Sequence, residues 1–223
     1  MTSIIQKLFI LPTFIIAMHL SVSGQINVKV GYVPAFGSFE AVSSILRDFN
    51  DSNSNIIEAP FNELNFMHGI NVGLRYKVGA LGFEFDWTSL NRDRDVLLYF
   101  DQSNSFSNML YKFGINSFSF GIDAYIGRFG AGASLHSQKL NINREIGSNN
   151  LKLVSETNLA LDFHLNITLQ RSNVVSVIVK PFYRFSLKDY NLNAFSQDLI
   201  DLDAFSSDIT FYGLSLVFYN GRK

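Results

Sequence analysis

The sequence predicts an all-β fold, an eight-stranded antiparallel up-and-down transmembrane β-barrel, and three observations predict it. Leu151 to Gln170 alternates apolar and polar residues for twenty positions, similar segments recur along the chain, and the connections between them alternate in length. Successive strand side chains point to opposite faces, so sustained alternation marks a strand between an apolar and a polar environment. Globular strands usually run to about 5–6 residues, so one of this length requires a special setting.

Residues 1–24 read as a cleaved leader. Lys7 is the only charge, Leu8 to Ala17 is an apolar run interrupted by Pro12, and Ser21, Ser23 and Gly24 provide small residues before Gln25. That core is shorter than the roughly 20 apolar residues of a spanning helix. Residues 25–223 are then one barrel domain. The full chain has 18 basic and 19 acidic residues; removing Lys7 with the leader leaves 17 and 19, a formal charge of −2. That near-balance argues against nucleic acid as a partner. No cysteine is present, which excludes disulfides, thiol chemistry and a lipid-modified N-terminal cysteine.

Strand one carries Ile26, Val28, Val30 and Tyr32 on its apolar face. Strand two spans Leu64 to Val78 and turns at Gly79-Ala80 into strand three, where Leu81, Phe83, Phe85 and Trp87 oppose Gly82, Glu84, Asp86 and Thr88. Strand four ends with Phe118, Phe120, Ile122, Ala124 and Ile126 on one face; Tyr111, Phe113 and Ile115 upstream have the opposite parity, which predicts a bulge near Asn116-Ser117. Gly127-Arg128 leads into strand five, with Phe129, Ala131, Ala133 and Leu135 on its apolar face. Strand six is Leu151 to Gln170, and Arg171-Ser172-Asn173 leads to strand seven, Val175 to Lys188. Pro181 donates no ladder bond there and should break the pairing locally. Strand eight runs from about Asp208 to Tyr219, completing the even number that bacterial single-chain barrels require.

Connections at 79–80, 127–128 and 171–173 are tight, whereas 35–63, 91–106 and 190–207 are long or medium and 146–150 is short. Membrane barrels place short turns in the periplasm and long loops outside. The rival is a soluble barrel with an apolar interior. The bulky apolar faces, the Gly-, Ser- and Asn-rich polar faces and the loop parity favour lipid outside. The 22 Phe and 9 Tyr suit interfacial girdles. Lys29, Arg75, Lys77, Lys180, Arg184 and Lys188 then face inward with Glu84, Asp86, Asp123, Glu156 and Asp162, and should pair. Glu156 is among those expected to hold a basic partner. Eight strands leave room only for side chains, so the lumen should be closed and polar, not a pore.

With those features the chain resembles the small eight-stranded outer-membrane barrels, the OmpA-barrel and OmpX-like group, and among them the Bacteroidota outer-membrane β-barrel families that include PorT-like proteins. The final strand, Phe211 to Tyr219, is similar to the C-terminal signal read by barrel-assembly machinery at Gly213, Leu216 and Phe218; Phe211 stands where a polar residue is usual, and Asn220 to Lys223 follow it. The resemblance implies a cell outer-membrane location in a Gram-negative envelope, contact with outer-membrane lipid and lipopolysaccharide, and the assembly machinery as a partner during biogenesis.

Candidate chemistry is sparse. Ser134, His136 and Glu156 fall on one inner face and raise a hydrolase arrangement, against which interior polar filling is the simpler reading. Asp162, His164 and Asn166 alternate on strand six, a metal trio only with further ligands from neighbours. His68 falls at headgroup level. Asp189, Asp198, Asp201, Asp203 and Asp208 make the last long connection acidic; Asp201-Leu202-Asp203 suggests a divalent cation, and a solvated loop is the plainer alternative. Glu40 to Phe49 places Val42, Ile45, Leu46 and Phe49 at helical spacing, with Ser38 as N-cap, a cap for the barrel mouth or a dock for a partner.

These features assign no catalytic, cofactor-binding or metal residue. The expected role is non-enzymatic, structural or protein-interacting, with an accessory role in envelope protein export (implied by the PorT resemblance) second and a lipid hydrolase third. Strands four to six, over about Ser107 to Gln170, should project beyond the bilayer. At about 3.3 Å per residue and a tilt near 40°, 17 residues rise about 40 Å against an apolar belt of about 25 Å. The tip around Asn143 to Leu151 is the expected contact with an envelope or extracellular protein.

Overall fold

Alternation between lipid and lumen produces a closed ring. The computed structural model describes residues 24–100, 105–172, 174–201 and 206–220. Its elements are β1 (Gln25–Ser38), α1 (Glu40–Ser52), β2 (Ile57–Ala59), β3 (Phe66–Val78), β4 (Leu81–Phe100), β5 (Ser105–Ile126), β6 (Phe129–Ile146), β7 (Asn149–Arg171), β8 (Val175–Ser186), β9 (Tyr190–Asn191), α2 (Asn193–Ile200), β10 (Ser206–Ser207) and β11 (Thr210–Asn220). The leader's residues 1–23, Asn173, Leu202-Asp203 and the last three residues lie outside the described part.

Eight strands pair in chain order, β1, β3, β4, β5, β6, β7, β8 and β11, and β11 closes antiparallel onto β1. This is the expected up-and-down transmembrane barrel. Its turns at Gly79, Gly127 and Gly147 place glycine at φ of 58°, 62° and 58°, a left-handed conformation that costs glycine little. Pro181 acts as expected: the β7–β8 ladder passes from His164↔Phe182 to Ile167↔Val179 with no paired residue between.

Several ends move by a few residues, as where β1 runs on to Ser38 and β8 stops at Ser186, and two larger expectations on β4 and β5 are corrected. The strand that starts at Leu81 runs on to Phe100, so most of 91–106 is hairpin. And β5 has no bulge at Asn116-Ser117, because its pairing with β4 and β6 is continuous through that point. Tyr111, Phe113 and Ile115 point inward, as do Ser117, Ser119 and Asp123. Parity holds along β5; the chemistry of the interior changes instead.

That change lies on one line across the sheet. Thr88, Ser117, Gln138 and Asn158 are successive inward partners. One step nearer the turns the inward residues are Asp86, Ser119 and His136; one step nearer the helices they are Leu90, Ile115 and Leu140. The outward face changes in the opposite sense. Trp87, Phe118 and Leu159 lie on the turn side, and Ser89, Asn116, Lys139 and Thr157 on the helix side. Toward the turns the barrel is apolar outside, with Phe85, Phe120, Ile122, Phe163 and Leu165 all about half exposed. Toward the helices it resembles a soluble protein, polar outside and apolar within.

The two helices complete that upper core. α1 buries Val42, Ile45, Leu46 and Phe49 as its spacing predicts, but its N-cap is Phe39 without a side-chain cap bond, not Ser38. Ser43 Oγ accepts from Leu64 N–H at 3.2 Å, and Asn50 bonds the backbone of Phe61 twice, at 2.9 and 3.0 Å. α2 buries Phe195 between Tyr111 and Phe113, at ring distances of 5.4 and 5.8 Å.

Candidate functional site

Inward parity on six different strands brings charges together in the lower lumen. Lys29 Nζ donates to Glu84 Oε2 at 2.7 Å and to Asp86 Oδ2 at 2.5 Å, and Lys180 Nζ donates to the same Glu84 oxygen at 2.7 Å. Tyr219 OH donates to Glu84 Oε1 at 2.6 Å, and the Arg75 guanidinium lies 3.8 Å from the centre of the Tyr219 ring. Arg184 Nε donates to Asp162 Oδ2 at 3.1 Å. His164 bridges Asp162, 2.8 Å from Nδ1, and Asp123, 2.6 Å from Nε2. Gly132 makes room for that bridge, since a Cβ there would sit 2.0 Å from Asp123 Oδ1 and 2.5 Å from His164 Nε2.

Four basic residues (Lys29, Arg75, Lys180, Arg184) thus meet four carboxylates (Glu84, Asp86, Asp123, Asp162), all buried. The space left among them is about 30 Å³, room for about one water. Three expected members are elsewhere. Lys77 is half-buried, with Nζ 4.9 Å from the Tyr125 ring centre, and Lys188 is exposed. Among the described residues Glu156 has no basic partner in the lumen; it sits above the polar zone and accepts the Asn191 backbone N–H at 2.7 Å. The alternation identified its face but not its height.

The candidate hydrolase residues do not assemble. Ser134 Oγ is 2.9 Å from His136 Nε2, but Asp162 lies 3.9 Å from that same nitrogen, and Nδ1 faces Ser117 Oγ at 3.4 Å. A catalytic triad needs its carboxylate on the opposite nitrogen from the nucleophile. His136 is also sealed from solvent. Asn166 bonds Asp123 at 3.1 Å and does not join His164 in a ligand trio. Among the described residues no group of three potential ligands is placed to hold a metal.

The acidic connection also differs from a purely solvated loop. Asp198, on α2, accepts Tyr111 OH at 2.5 Å and pairs with Arg144 of β6. Burial, reinforced by Asp198, pushes the Tyr111 hydroxyl above its usual pKa. Tyr190 donates to the Gln138 carbonyl at 3.1 Å, which fixes the α2 arm over the lumen. Asp189 and Asp208 face Ser206 and Thr210 hydroxyls at 3.5 and 3.4 Å. α2 itself lacked a sequence signal strong enough to find. His68 is exposed on the outer face beside Tyr32 and Phe66, as its parity predicts.

Above the line of inversion β4, β5, β6 and β7 stand as a four-stranded sheet. β2 pairs with its β4 edge at Ile57↔Leu98 and Ala59↔Leu97. On the other edge the β8 ladder begins only at Ala160↔Ser186, so Asn149–Ser155 of β7 is laddered to β6 alone. The tip expected at Asn143 to Leu151 is the Gly147-Ser148 turn of this sheet, with Leu151 about half exposed.

No family model and no curated protein matches the chain. Among solved structures it is similar to Neisserial surface protein A, with 10% identity, a TM-score of 0.48, and coverage of 89% of this chain and 99% of that one. It is likewise similar to Ail, the attachment invasion locus protein of Yersinia pestis, with 12% identity, a TM-score of 0.49, and coverage of 89% and 98%. The structure of Ail in complex with the heparin analogue sucrose octasulfate matches with 13% identity, a TM-score of 0.49 and the same coverage.

Proposed function

We propose that the chain is a non-enzymatic outer-membrane barrel, exported by residues 1–24, whose protruding sheet contacts an envelope or extracellular protein. One observation carries this reading. Strands of 18 to 23 residues continue past the apolar belt and end in a free β7 edge at Asn149–Ser155. Unpaired edge groups recruit further strands, and exposed Leu151 offers an apolar contact beside them. The lumen argues against transport, since its charges fill it. The hydrolase alternative loses support because its residues do not assemble.

The test shortens the β6–β7 hairpin by equal numbers of residues from each strand, which leaves the barrel intact. A stoichiometric envelope partner captured by the native barrel and lost by the shortened one supports the proposal. Retention of every co-purifying protein overturns it. If the captured partner belongs to an export assembly, the accessory role is the correct form of the reading.

A further inference from the structure

The outward face carries a trough at the height where its apolar residues give out. Above Trp87 on β4 the outward positions become Ser89, Asn91 and Asp93, and above Ile70 on β3 stands His68. A groove of about 380 Å³ over Tyr32, Ile70 and Trp87 adjoins one of about 300 Å³ beside Arg92 and Asp93, and both share His68 and Asn91. The floor of the first is mainly apolar, and the head of the second carries donors. His68 is held between Tyr32 and Phe66, at ring distances of 6.0 and 5.8 Å. Arg92 belongs by parity to the inner face. The β3–β4 ladder ends at His68↔Asn91, however, and there the Arg92 guanidinium reaches within 5.7 Å of the Phe66 ring centre. Its Nε is buried without a hydrogen-bond partner among the described residues, an arrangement that native structures rarely leave unexplained. Asp93 is opposed in the ladder by Lys112, whose ammonium donates to Glu145 at 2.7 Å and lies close enough to Asp93 to offset part of its charge.

We propose that this trough binds a phosphate-bearing lipid of the outer leaflet. The phosphate sits at Arg92 and His68, and an acyl chain runs down over Ile70 and Trp87. A guanidinium fork and an imidazole N–H suit phosphate oxygens. The apolar floor continues into the membrane belt, which is what selects a lipid over a free anion. The assignment rests on the outer-membrane placement above and is independent of the protein partner.

Trp87 is the chain's single tryptophan, so its emission reports this site alone. The full barrel is placed in discs of zwitterionic phospholipid and titrated with a bisphosphorylated lipid A, with the same lipid stripped of its phosphates, and with inorganic phosphate. The expected result is a saturable Trp87 shift with the phosphorylated lipid only. Arg92→Gln should weaken it about tenfold, the loss of one charge-assisted contact. Arg92→Lys should fall between, and heat-modifiable gel migration confirms that each variant is folded. An equal shift with the dephosphorylated lipid, or an unchanged response in folded Arg92→Gln, overturns the site. A shift with inorganic phosphate alone overturns the lipid assignment. Cell fractionation tests membrane placement separately, so failure of that reading is distinguishable.

Discussion

The lower and upper halves of this barrel are built from the same strands with the same side-chain parity, yet they are inside out relative to each other. Below Thr88, Ser117, Gln138 and Asn158 the interior is charged and the exterior apolar; above them the interior holds Ile115, Leu140 and Phe195 and the exterior holds Asn116, Lys139 and Thr157. Backbone pairing does not register the change. What differs is the solvent outside, lipid below and water above, and each half buries what that solvent rejects. In lipid the backbone must be satisfied by ring closure and the lumen by ion pairing. In water an apolar core with two capping helices serves in the usual way.

The largest effect expected from this contrast lies in the lower interior. Glu84→Leu removes the acceptor shared by Lys29, Lys180 and Tyr219 and leaves buried ammonium groups without it. Urea unfolding in detergent should show a loss of about 3–5 kcal/mol. A value near zero would mean that water fills the lumen and that the halves differ less than their side chains suggest.

Next comes the exterior. Phe120→Arg places a charge on the apolar belt and should cost about 2–4 kcal/mol if the site lies near the bilayer midplane. Asn116→Arg, just past the line of inversion on β5, should leave stability nearly unchanged when measured in the same liposomes. Equal costs at the two positions would erase the boundary.

The smallest effect concerns the upper cap. Asp198→Asn removes the charge that pairs with Arg144 and accepts from Tyr111, at a cost on the order of 1 kcal/mol, and hydrogen exchange should quicken in α2 while the lower strands stay protected. Alkaline pH probes the same contact. Because folding raises the Tyr111 pKa, its contribution is fully present below the unfolded value of about 10 and is lost as pH climbs through the raised folded value. Ultraviolet difference absorbance should therefore show Tyr111 ionising after the exposed tyrosines, a lag that Asp198→Asn shortens.

Much of this is legible in the sequence. Alternation in residues 66–78, 118–126 and 159–170 identified strand faces, and the glycines at 79 and 127 marked the tight turns. Leu46 and Phe49 announced a capping helix. Misreadings clustered at the line of inversion. Tyr111, Phe113 and Ile115 read as a parity slip in sequence because an apolar face means lipid only below that line, and Arg92 to Asp95 read as a loop because alternation fades where both faces become polar. Glu156 was assigned to the lumen by face, although its height places it under β9.

The sequence by itself determined the number of barrel strands, the faces of the residues on the turn side and the tight turns, because these are local properties of a two-residue repeat and of glycine's backbone freedom. Only the tertiary structure decided which inward charges meet: Lys29 with Glu84 across 55 positions, Lys180 with Glu84 across 96, His164 with Asp123 across 41. It also decided that α2 rests on Tyr111 and that Arg92 emerges beside Phe66. Those contacts depend on ring closure and on the vertical offset of each strand against its neighbours. A repeat of two residues indicates the face of a side chain and carries no information about its height in the barrel.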